Sequence, residues 1–205
     1  MTRPNSGAAR FFDAARAFDL AMAPLERAFL RHPRRWIGER ARGTVLLVGI
    51  GTGADLPYLA QDVTITGLDL APDMLEGARR RAAAECRDVE LVVGDAGDLP
   101  FAADSFDTVI CTFALCGVPD EKLALAEMVW VLRPGGDLLL ADHVESNLAP
   151  VQALQRALDA LTQRRGEHWR RRPLLHLEGL GLEVVDTYRD TLGVLERVHA
   201  RLRTA

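Results

Sequence analysis

The residues best suited to chemistry in this sequence are a glycine-rich turn and an acidic residue twenty positions further on. Gly49, Gly51 and Gly53 follow the apolar run Thr44–Val48. Glycine has no Cβ, so a ligand can approach the backbone of such a turn closely. Asp69 ends a second apolar run, where its carboxylate can accept hydrogen bonds from both hydroxyls of a ribose. The spacing predicts a site for a nucleoside-containing cofactor.

The same turn also fits a dinucleotide. Gly49, Gly51 and Ala54 satisfy the dinucleotide fingerprint, so an NAD(P)-binding oxidoreductase is one alternative. Asp95 follows a third apolar run, where a carboxylate can accept from an adenine amino group. The last quarter of the chain is expected to form an antiparallel strand pair, where a dinucleotide enzyme would need a second mononucleotide-binding half. These features favour a single-nucleoside cofactor; a non-catalytic, cofactor-binding regulatory domain is the other alternative.

Histidine is the residue type that could act on a second substrate. His143 follows the fifth apolar run and can titrate near neutrality, so it is the candidate catalytic residue, binding or deprotonating an acceptor. A histidine that only orients a loop is the structural alternative, and His168 is a second candidate. Cys116 is interpreted as a small packing residue. Asp142 and Glu145 stand in no cluster of ligands, so no metal site is predicted.

Helices precede the first strand. Apolar residues recur there at steps of four and three, the spacing of one helical stripe: Phe11, Ala15, Phe18, Met22, Leu25 and Phe29. Because proline is best tolerated in a first turn, one helix is expected to end near Ala21 and a second to begin at Pro24.

Strands and helices then alternate. The predicted strands are Thr44–Val48, Val63–Asp69, Val89–Val93, Thr108–Phe113 and Asp137–Ala141. Helices are predicted over 72–84 and 121–132, with a helix stop and tight turn over 132–136. This alternation predicts a parallel sheet with helices on both faces.

The last quarter of the chain has a different pattern. An amphipathic helix is predicted around Val151 and Leu154, and another over 173–179. The runs Gly181–Asp190 and Val194–Arg203 are close enough in sequence to pair antiparallel. We therefore expect one α/β domain over 1–205: a helical arm (1–43), a cofactor-binding core (44–145) and an acceptor-side helix with a strand pair (146–205).

Composition narrows the function classes. The 205 residues hold 25 Lys or Arg and 29 Asp or Glu, a net charge of −4 that argues against a nucleic-acid binder. Three cysteines without paired spacing, and no apolar run long enough for a membrane helix or a secretory signal, favour a cytoplasmic protein. The oligomeric state is left open.

Four segments give the chain a family resemblance. In order, they are VLLVGIGTGADL, ITGLDLAPDML, VVGDAGDLPFAADSFDTVICTFAL and AEMVWVLRPGGDLLLADHV. Together they resemble the class I S-adenosylmethionine-dependent methyltransferases, a Rossmann-like fold. The chain looks most like the branch of ubiquinone/menaquinone-biosynthesis, phosphatidylethanolamine N-methyltransferase-like and thiol methyltransferase-like enzymes. The resemblance implies a mostly parallel seven-stranded sheet of order 3-2-1-4-5-7-6 with the last strand antiparallel.

The resemblance also implies roles for individual residues in binding S-adenosylmethionine. The methionine part would be held by the turn residues Gly49, Ile50, Gly51, Thr52 and Gly53. Asp69 would bind the ribose, and Leu70 and Met74 one face of the adenine. Asp95 would bind the adenine amino group, with the backbone of Ala96 beside it.

The acceptor side follows from the same resemblance. Thr112 and Phe113 would line the methyl-donor side of the pocket. The implied function is methyl transfer to a small-molecule or lipid-like acceptor: a quinol, an amino-headgroup lipid or a thiol. Thr112-Phe113-Ala114-Leu115 stands where enzymes that methylate DNA amino groups carry a different segment, so nucleobase methylation is disfavoured.

Arginine and tryptophan residues in the flanks suggest a cover for the pocket. Trp36 follows Arg34 and Arg35, and Trp169 precedes an arginine run that ends at Arg172. Arginine beside tryptophan on helices suits an anionic interface. We expect the arm to cover the cofactor and the arginines to make peripheral contact with an anionic membrane. The alternative is that these arginines solvate outer helix faces and pair with the acidic residues of 44–150.

Overall fold

The apolar runs of the sequence form one seven-stranded sheet. A computed structural model describes residues 17, 19–24, 26, 30–162 and 171–204. The strands are β1 (Thr44–Val48), β2 (Thr64–Asp69), β3 (Val89–Val93), β4 (Phe106–Thr112), β5 (Leu132–His143), β6 (Leu182–Arg189) and β7 (Leu195–Leu202). The helices are α1 (Arg31–Gly38), α2 (Pro72–Ala84), α3 (Glu121–Trp130) and α4 (Ala149–Thr162).

The strand order is β3-β2-β1-β4-β5-β7-β6. Strands β1 to β5 pair in parallel, and β7 pairs antiparallel with both β5 and β6. This topology confirms the predicted fold class. In a parallel sheet the carboxyl ends of the strands share one edge, which we call the carboxyl edge; the opposite edge is the amino edge.

Strand β1 shows why the sheet is buried on both faces. Leu46 packs into a core beneath α3, whereas its neighbours Val45 and Leu47 pack into a second core beneath α1 and α2. Successive side chains of a strand point to opposite faces, so a continuous apolar run is what a strand between two helical layers requires.

Three local predictions were wrong. Residues 19–24 are helical, so no helix ends at Ala21. Met22 and Ala23 line a cavity described below, so tertiary packing holds this segment helical up to Pro24. Residues 132–136 belong to β5, because buried Leu132 pairs with Phe106.

The helix predicted over 173–179 was the third error. It is two short 3-10 turns, Pro173–His176 and Glu178–Leu180, and the second is followed by Gly181 at φ 81°. Glycine adopts this left-handed conformation without a Cβ clash, so the chain turns directly into β6.

Candidate active site

The glycine turn lies at the carboxyl edge, directly after β1. Gly49, Gly51 and Gly53 all have positive φ, at 69°, 55° and 78°. A Cβ built on Gly51 would meet no atom within 4 Å, so its backbone faces open space. A Cβ on Gly53 would lie 2.9 Å from Leu56. The turn therefore needs glycine for its conformation, and it offers a ligand direct access to the backbone.

Asp69 holds this turn in place. At the end of β2, its Oδ2 accepts a hydrogen bond from the backbone N of Gly51 at 2.8 Å, and its Oδ1 accepts from Ala71 at 2.9 Å. Leu70 is 68% exposed, which is unusual for a leucine beside a buried strand, and Met74 is half-buried. An adenosine placed here would meet a carboxylate and an apolar surface, so these residues fit the predicted cofactor.

The third strand brings an acid to the same edge. The backbone N of Gly94 donates to the Asp69 carbonyl at 3.1 Å, so the segment after β3 lies beside the end of β2. Asp95 is exposed, and its Oδ1 accepts from the backbone N of Gly97 at 2.8 Å. Ala96 is half-buried between them.

The end of β4 completes the cofactor side. Thr112 is buried, and Phe113 adopts a left-handed conformation at φ 53°. Such a backbone costs a non-glycine residue of order 1–3 kcal/mol and persists only where its surroundings hold it. Here the backbone N of Phe113 donates to the Ala141 carbonyl at 2.7 Å, which fixes β4 against β5.

A buried guanidinium joins α1 to this site. Arg34 is 8% exposed and donates to Asp55 at 2.8 Å, to Glu26 at 2.9 Å and to Thr112 Oγ1 at 3.4 Å. The Thr112 hydroxyl in turn donates to Asp55. Burial by itself lowers the pKa of Arg34. The nearby carboxylates of Asp55 and Glu26 have the larger, opposite effect, so the pKa is raised. The guanidinium also lies 5.2 Å from the ring centre of Phe113.

The helical arm covers the glycine turn. Thr52 Oγ1 donates to Asp19 Oδ1 at 2.6 Å, and Arg81 of α2 pairs with Asp19 Oδ2 at 3.0 Å. Together the arm, the turn and the end of β4 enclose a cavity of about 280 Å³. Its lining includes Gly49, Ile50, Gly51, Thr52, Thr112 and Phe113 from the predicted set, with Asp19, Met22, Glu26, Arg34 and Asp55.

The acceptor-side candidates lie at the end of β5. Asp142 is 3% exposed, and His143 Nδ1 lies 3.2 Å from its Oδ1. Asp142 Oδ1 also accepts from the backbone N of His143 at 2.8 Å. Burial raises the pKa of Asp142 to about 7, although backbone N–H groups of His143, Cys116 and Leu115 act in the opposite direction.

Comparison with known proteins identifies the family. Residues 45–136 match the family model described as a methyltransferase domain. A demethylmenaquinone methyltransferase of Renibacterium salmoninarum is 35% identical over 172 residues, which cover 79% of this chain and 71% of that protein. The chain belongs to the S-adenosylmethionine-dependent methyltransferase family.

Two further similarities agree with this assignment. A phosphatidylethanolamine N-methyltransferase of Cereibacter sphaeroides is 34% identical over 128 residues, 62% of this chain and 63% of that protein. A solved S-adenosylmethionine-dependent methyltransferase structure from Methanosarcina mazei matches with a TM-score of 0.65 at 19% identity, over 79% of this chain and 93% of that one. At this identity the structural match shows the fold alone.

In this methyltransferase, the predicted cofactor residues fall into two groups. Four of the turn residues (49–52) and the end of β4 line one cavity. Gly53 and the residues around the ends of β2 and β3 lie outside its lining: Asp69, Leu70, Met74, Asp95 and Ala96. The hydrogen bond from Gly51 to Asp69 links the two groups. An elongated nucleoside with a methionine tail would span both, which is the shape of the family's methyl donor.

A larger groove, of about 570 Å³, lies on the outer side of α1. It is lined by Arg31, His32, Arg35, Glu39, Pro57 and Tyr58, and it contains none of the predicted site residues. Size alone therefore does not locate the methyltransferase site; the convergence of strand ends does.

The sequence did not identify Arg34, Asp55 and Glu26 as site residues. Asp55 follows the glycine turn and could have been noticed there, but a lone arginine in a basic helix gives no signal. Asp19 stands in one of two Phe-Asp pairs of the arm, a weak local signal. Their relation to the site depends on how α1 and the arm pack.

Two of the flanking arginines pair with acids of the middle of the chain, as one alternative predicted, but they do so in buried or half-buried positions and not on outer helix faces. Arg34 lies inside the site, and Arg171 donates to the Leu115 and Pro119 carbonyls and pairs with Glu121 at 3.5 Å. Both guanidinium groups are bound to partners within the fold and are therefore not available to contact a membrane surface. Among the aromatic residues, Trp36 stacks with Arg40 and Arg197, at 4.1 and 5.3 Å.

Several candidates lie outside the described residues. They are Phe11, Ala15, Phe18, Leu25 and Phe29 of the apolar stripe, His168 and Trp169. In the described part of the chain, no helix has the length and apolar character needed to span a bilayer.

Proposed function

We propose that this chain transfers a methyl group from S-adenosylmethionine to a small-molecule or lipid-like acceptor. The observation that carries the proposal is the single cavity lined by both the open glycine turn and the end of β4, with Asp69 hydrogen-bonded to that turn. The named activities of the relatives, on demethylmenaquinone and on phosphatidylethanolamine, support an acceptor of this class. The cysteine usage supports a cytoplasmic setting.

The residues assigned to the cofactor follow from their positions. The open backbone of Gly51 and its neighbours would hold the methionine part, and Asp69 the ribose hydroxyls. Leu70 and Met74 would cover one adenine face, while Asp95 and Ala96 would meet the adenine edge. The cofactor supplies an electrophilic methyl group; the chain has to align the acceptor with it and exclude water.

The arm and β4 are suited to that alignment. Arg34 ties α1 to Asp55 and Thr112, while Asp19 ties the arm to Thr52, so the cavity is covered from one side by fixed side chains. Phe113 lines the cavity, and its ring lies against the Arg34 guanidinium. We propose His143, 18% exposed at the end of β5, as the residue that acts on the reacting group of the acceptor.

Cofactor binding is the first test. At a ligand concentration of 100 Kd, S-adenosylmethionine or S-adenosylhomocysteine should stabilise the fold by about 2.7 kcal/mol, which raises Tm by about 5–10 °C for a chain of this size. Asp69→Ala should remove most of this shift, because the ribose loses its acceptor and the turn loses its hydrogen bond. Asp62→Ala, an exposed acid outside the site, should keep it. An equal shift with NADH would contradict the assignment.

Acceptor transfer is the second test. His143→Ala should lower the turnover of labelled methyl transfer by about 10²-fold, the cost of misplacing reacting groups. The affinity for S-adenosylhomocysteine should stay within twofold. His32→Ala, on the outer side of α1, is the control variant. The acceptors to be tested are a demethylated quinol, phosphatidylethanolamine vesicles and an alkyl thiol. Unchanged transfer in His143→Ala would assign that residue a structural role.

A further inference from the structure

The loop after β4 and the end of β5 bring together three side chains that can bind a metal ion. The Cys116 sulfur, a carboxylate oxygen of Asp142 and a ring nitrogen of His143 lie within 4.8 Å of one another. They come from segments far apart in sequence, and the β4–β5 register pairs Thr112 with Ala141 and so sets them side by side.

The burial of Asp142 is the second observation. This carboxylate is 3% exposed, and its Oδ2 is buried without a hydrogen-bond partner among the described residues. A buried carboxylate oxygen that lacks a partner is costly and rare in folded proteins, and a bound cation compensates it by direct coordination. A bound cation would satisfy it.

The surrounding segments hold the three side chains in position. The backbone of the 3-10 turn Leu115–Gly117 is fixed by Arg171, which donates to the Leu115 carbonyl and pairs with Glu121. His143 ends β5, where its backbone pairs with Leu195 of β7. Each donor thus stands on a segment tied to the sheet, as a metal site requires.

We propose that Cys116, Asp142 and His143 bind one zinc ion beside Phe113, which lines the cofactor cavity and whose carbonyl contacts the Cys116 sulfur. Sulfur, nitrogen and a single carboxylate are the donor types of zinc, whereas Mg²⁺ and Ca²⁺ take oxygen ligands. Three protein ligands leave the fourth tetrahedral position open, as in catalytic zinc sites.

The distances are compatible with this ion. Zinc bonds of about 2.0–2.3 Å place tetrahedral donors about 3.3–3.8 Å apart. His143 Nδ1 lies 3.2 Å from Oδ1 of Asp142, the carboxylate oxygen that also accepts from the His143 backbone. The donor separations of the group are at most 4.8 Å, so zinc binding requires the side chains to draw together by at most about 1.5 Å.

This inference rests on the proposed function and refines its acceptor to a thiol. Zinc favours thiolate ligands, so it lowers the pKa of a bound thiol and generates the nucleophilic thiolate. Of the three acceptor classes, a thiol therefore gains most from the ion. The acceptor S–H proton passes to solvent. The thiolate electron pair then forms the new C–S bond as the bond between the methyl carbon and the donor sulfonium breaks. That bond's electron pair stays on the sulfur of S-adenosylhomocysteine.

The experiment uses the full chain, stripped with a chelator and titrated with Zn²⁺ or Co²⁺ alone. One ion per chain should bind, and Co²⁺ should give a thiolate-to-metal charge-transfer band in the near ultraviolet. Cys116→Ser should abolish that band, and Asp142→Asn and His143→Gln should each weaken zinc binding by at least tenfold. Cys86→Ser, His32→Gln and Asp62→Asn are matched controls and should bind as the unmodified chain does.

The outcomes separate the two proposals. Loss of the band in Cys116→Ser but not in Cys86→Ser, with S-adenosylhomocysteine still raising Tm in both, supports the zinc site. A stripped chain that binds no zinc, or three variants that bind it unchanged, overturns the site and leaves methyl transfer intact. If instead no methyl donor binds, the proposed function fails, while the cobalt spectrum still reports on the metal. Transfer to thiols that is equal with and without zinc would overturn the acceptor assignment.

Discussion

Buried aspartates at the two edges of the sheet have pKa values shifted in opposite directions. Asp137 lies in β5 at the amino edge, where it pairs with Thr108 of β4. Its carboxylate accepts hydrogen bonds from His199 at 2.9 Å and Arg201 at 2.8 Å, and it forms an ion pair with Arg42 at 2.7 Å. Burial acts against its charge, but these partners outweigh burial and lower its pKa. At the carboxyl edge, Asp142 of the same strand is equally buried and has a raised pKa.

The two carboxylates differ in their partners. Asp137 and Asp142 both have side chains that are 3% exposed. One carboxylate meets three cationic or donor side chains that link β5 to β7 and to the segment before β1. The other meets a histidine and backbone N–H groups, and one oxygen is left without a partner among the described residues. The amino edge is built for stability, and the carboxyl edge keeps binding capacity for a ligand.

The largest expected effect is at the amino edge. Asp137→Asn should lower the free energy of unfolding by about 3 kcal/mol, because it removes the buried carboxylate that is hydrogen-bonded to His199 and paired with Arg42 and Arg201. Urea unfolding would measure this. Asp186→Asn, which removes only a surface pair with Arg40 at 3.4 Å, should stay within about 0.5 kcal/mol. A similarly small effect for Asp137 would mean that solvent replaces its partners.

The same substitution at the carboxyl edge should have the opposite sign. In metal-free protein, Asp142→Asn should leave the free energy of unfolding unchanged or raise it by up to about 2 kcal/mol, since it removes a poorly compensated buried charge while keeping the side chain's shape. The measurement is urea unfolding in the presence of a chelator. A loss as large as that of Asp137→Asn would remove the contrast between the two edges.

The smallest effect concerns acid stability. Asp107, at the amino edge, accepts from the backbone N of Thr44 at 2.8 Å and from Arg133 at 2.8 Å, and these contacts lower its pKa from 3.8 to about 2. A carboxylate with a lowered pKa stabilises the fold above its ordinary pKa and loses that contribution as the pH falls from about 4 to about 2.

The Asp107 side chain is 38% exposed, so solvent screening reduces the expected contribution to about 1 kcal/mol. Asp107→Asn should therefore show a smaller loss of stability between pH 5 and pH 2 than the unmodified chain, measured by urea midpoints at constant ionic strength. Asp62→Asn should follow the unmodified chain. Parallel pH curves for Asp107→Asn and the unmodified chain would contradict the assigned role.

Much of the fold could be predicted because its signals are local. Residues 45–48 are all apolar. Both faces of the strand are therefore apolar, which is typical of a strand covered by helices on both sides. The segment Leu132–Gly136 was misjudged because glycine and proline suggest a turn, whereas pairing of Leu132 with Phe106 across a bulge draws it into β5. The helix predicted over 173–179 failed for a similar reason, since Gly181 ends the turn before a full helix forms.

Residue type and spacing were enough to predict the glycine turn and the acid at the end of β2, because both lie within one βα unit, whereas the order of the strands was implied by the family resemblance. Tertiary structure alone decided that Arg34 lies against Asp55 and Thr112, that Asp19 covers Thr52, and that Cys116 lies beside Asp142 and His143. Those contacts join segments 21 to 78 residues apart for Arg34 and 33 residues apart for Asp19. Strand register and helix packing set such distances, and no local pattern encodes them, since they are fixed only when the two faces of the sheet are buried together.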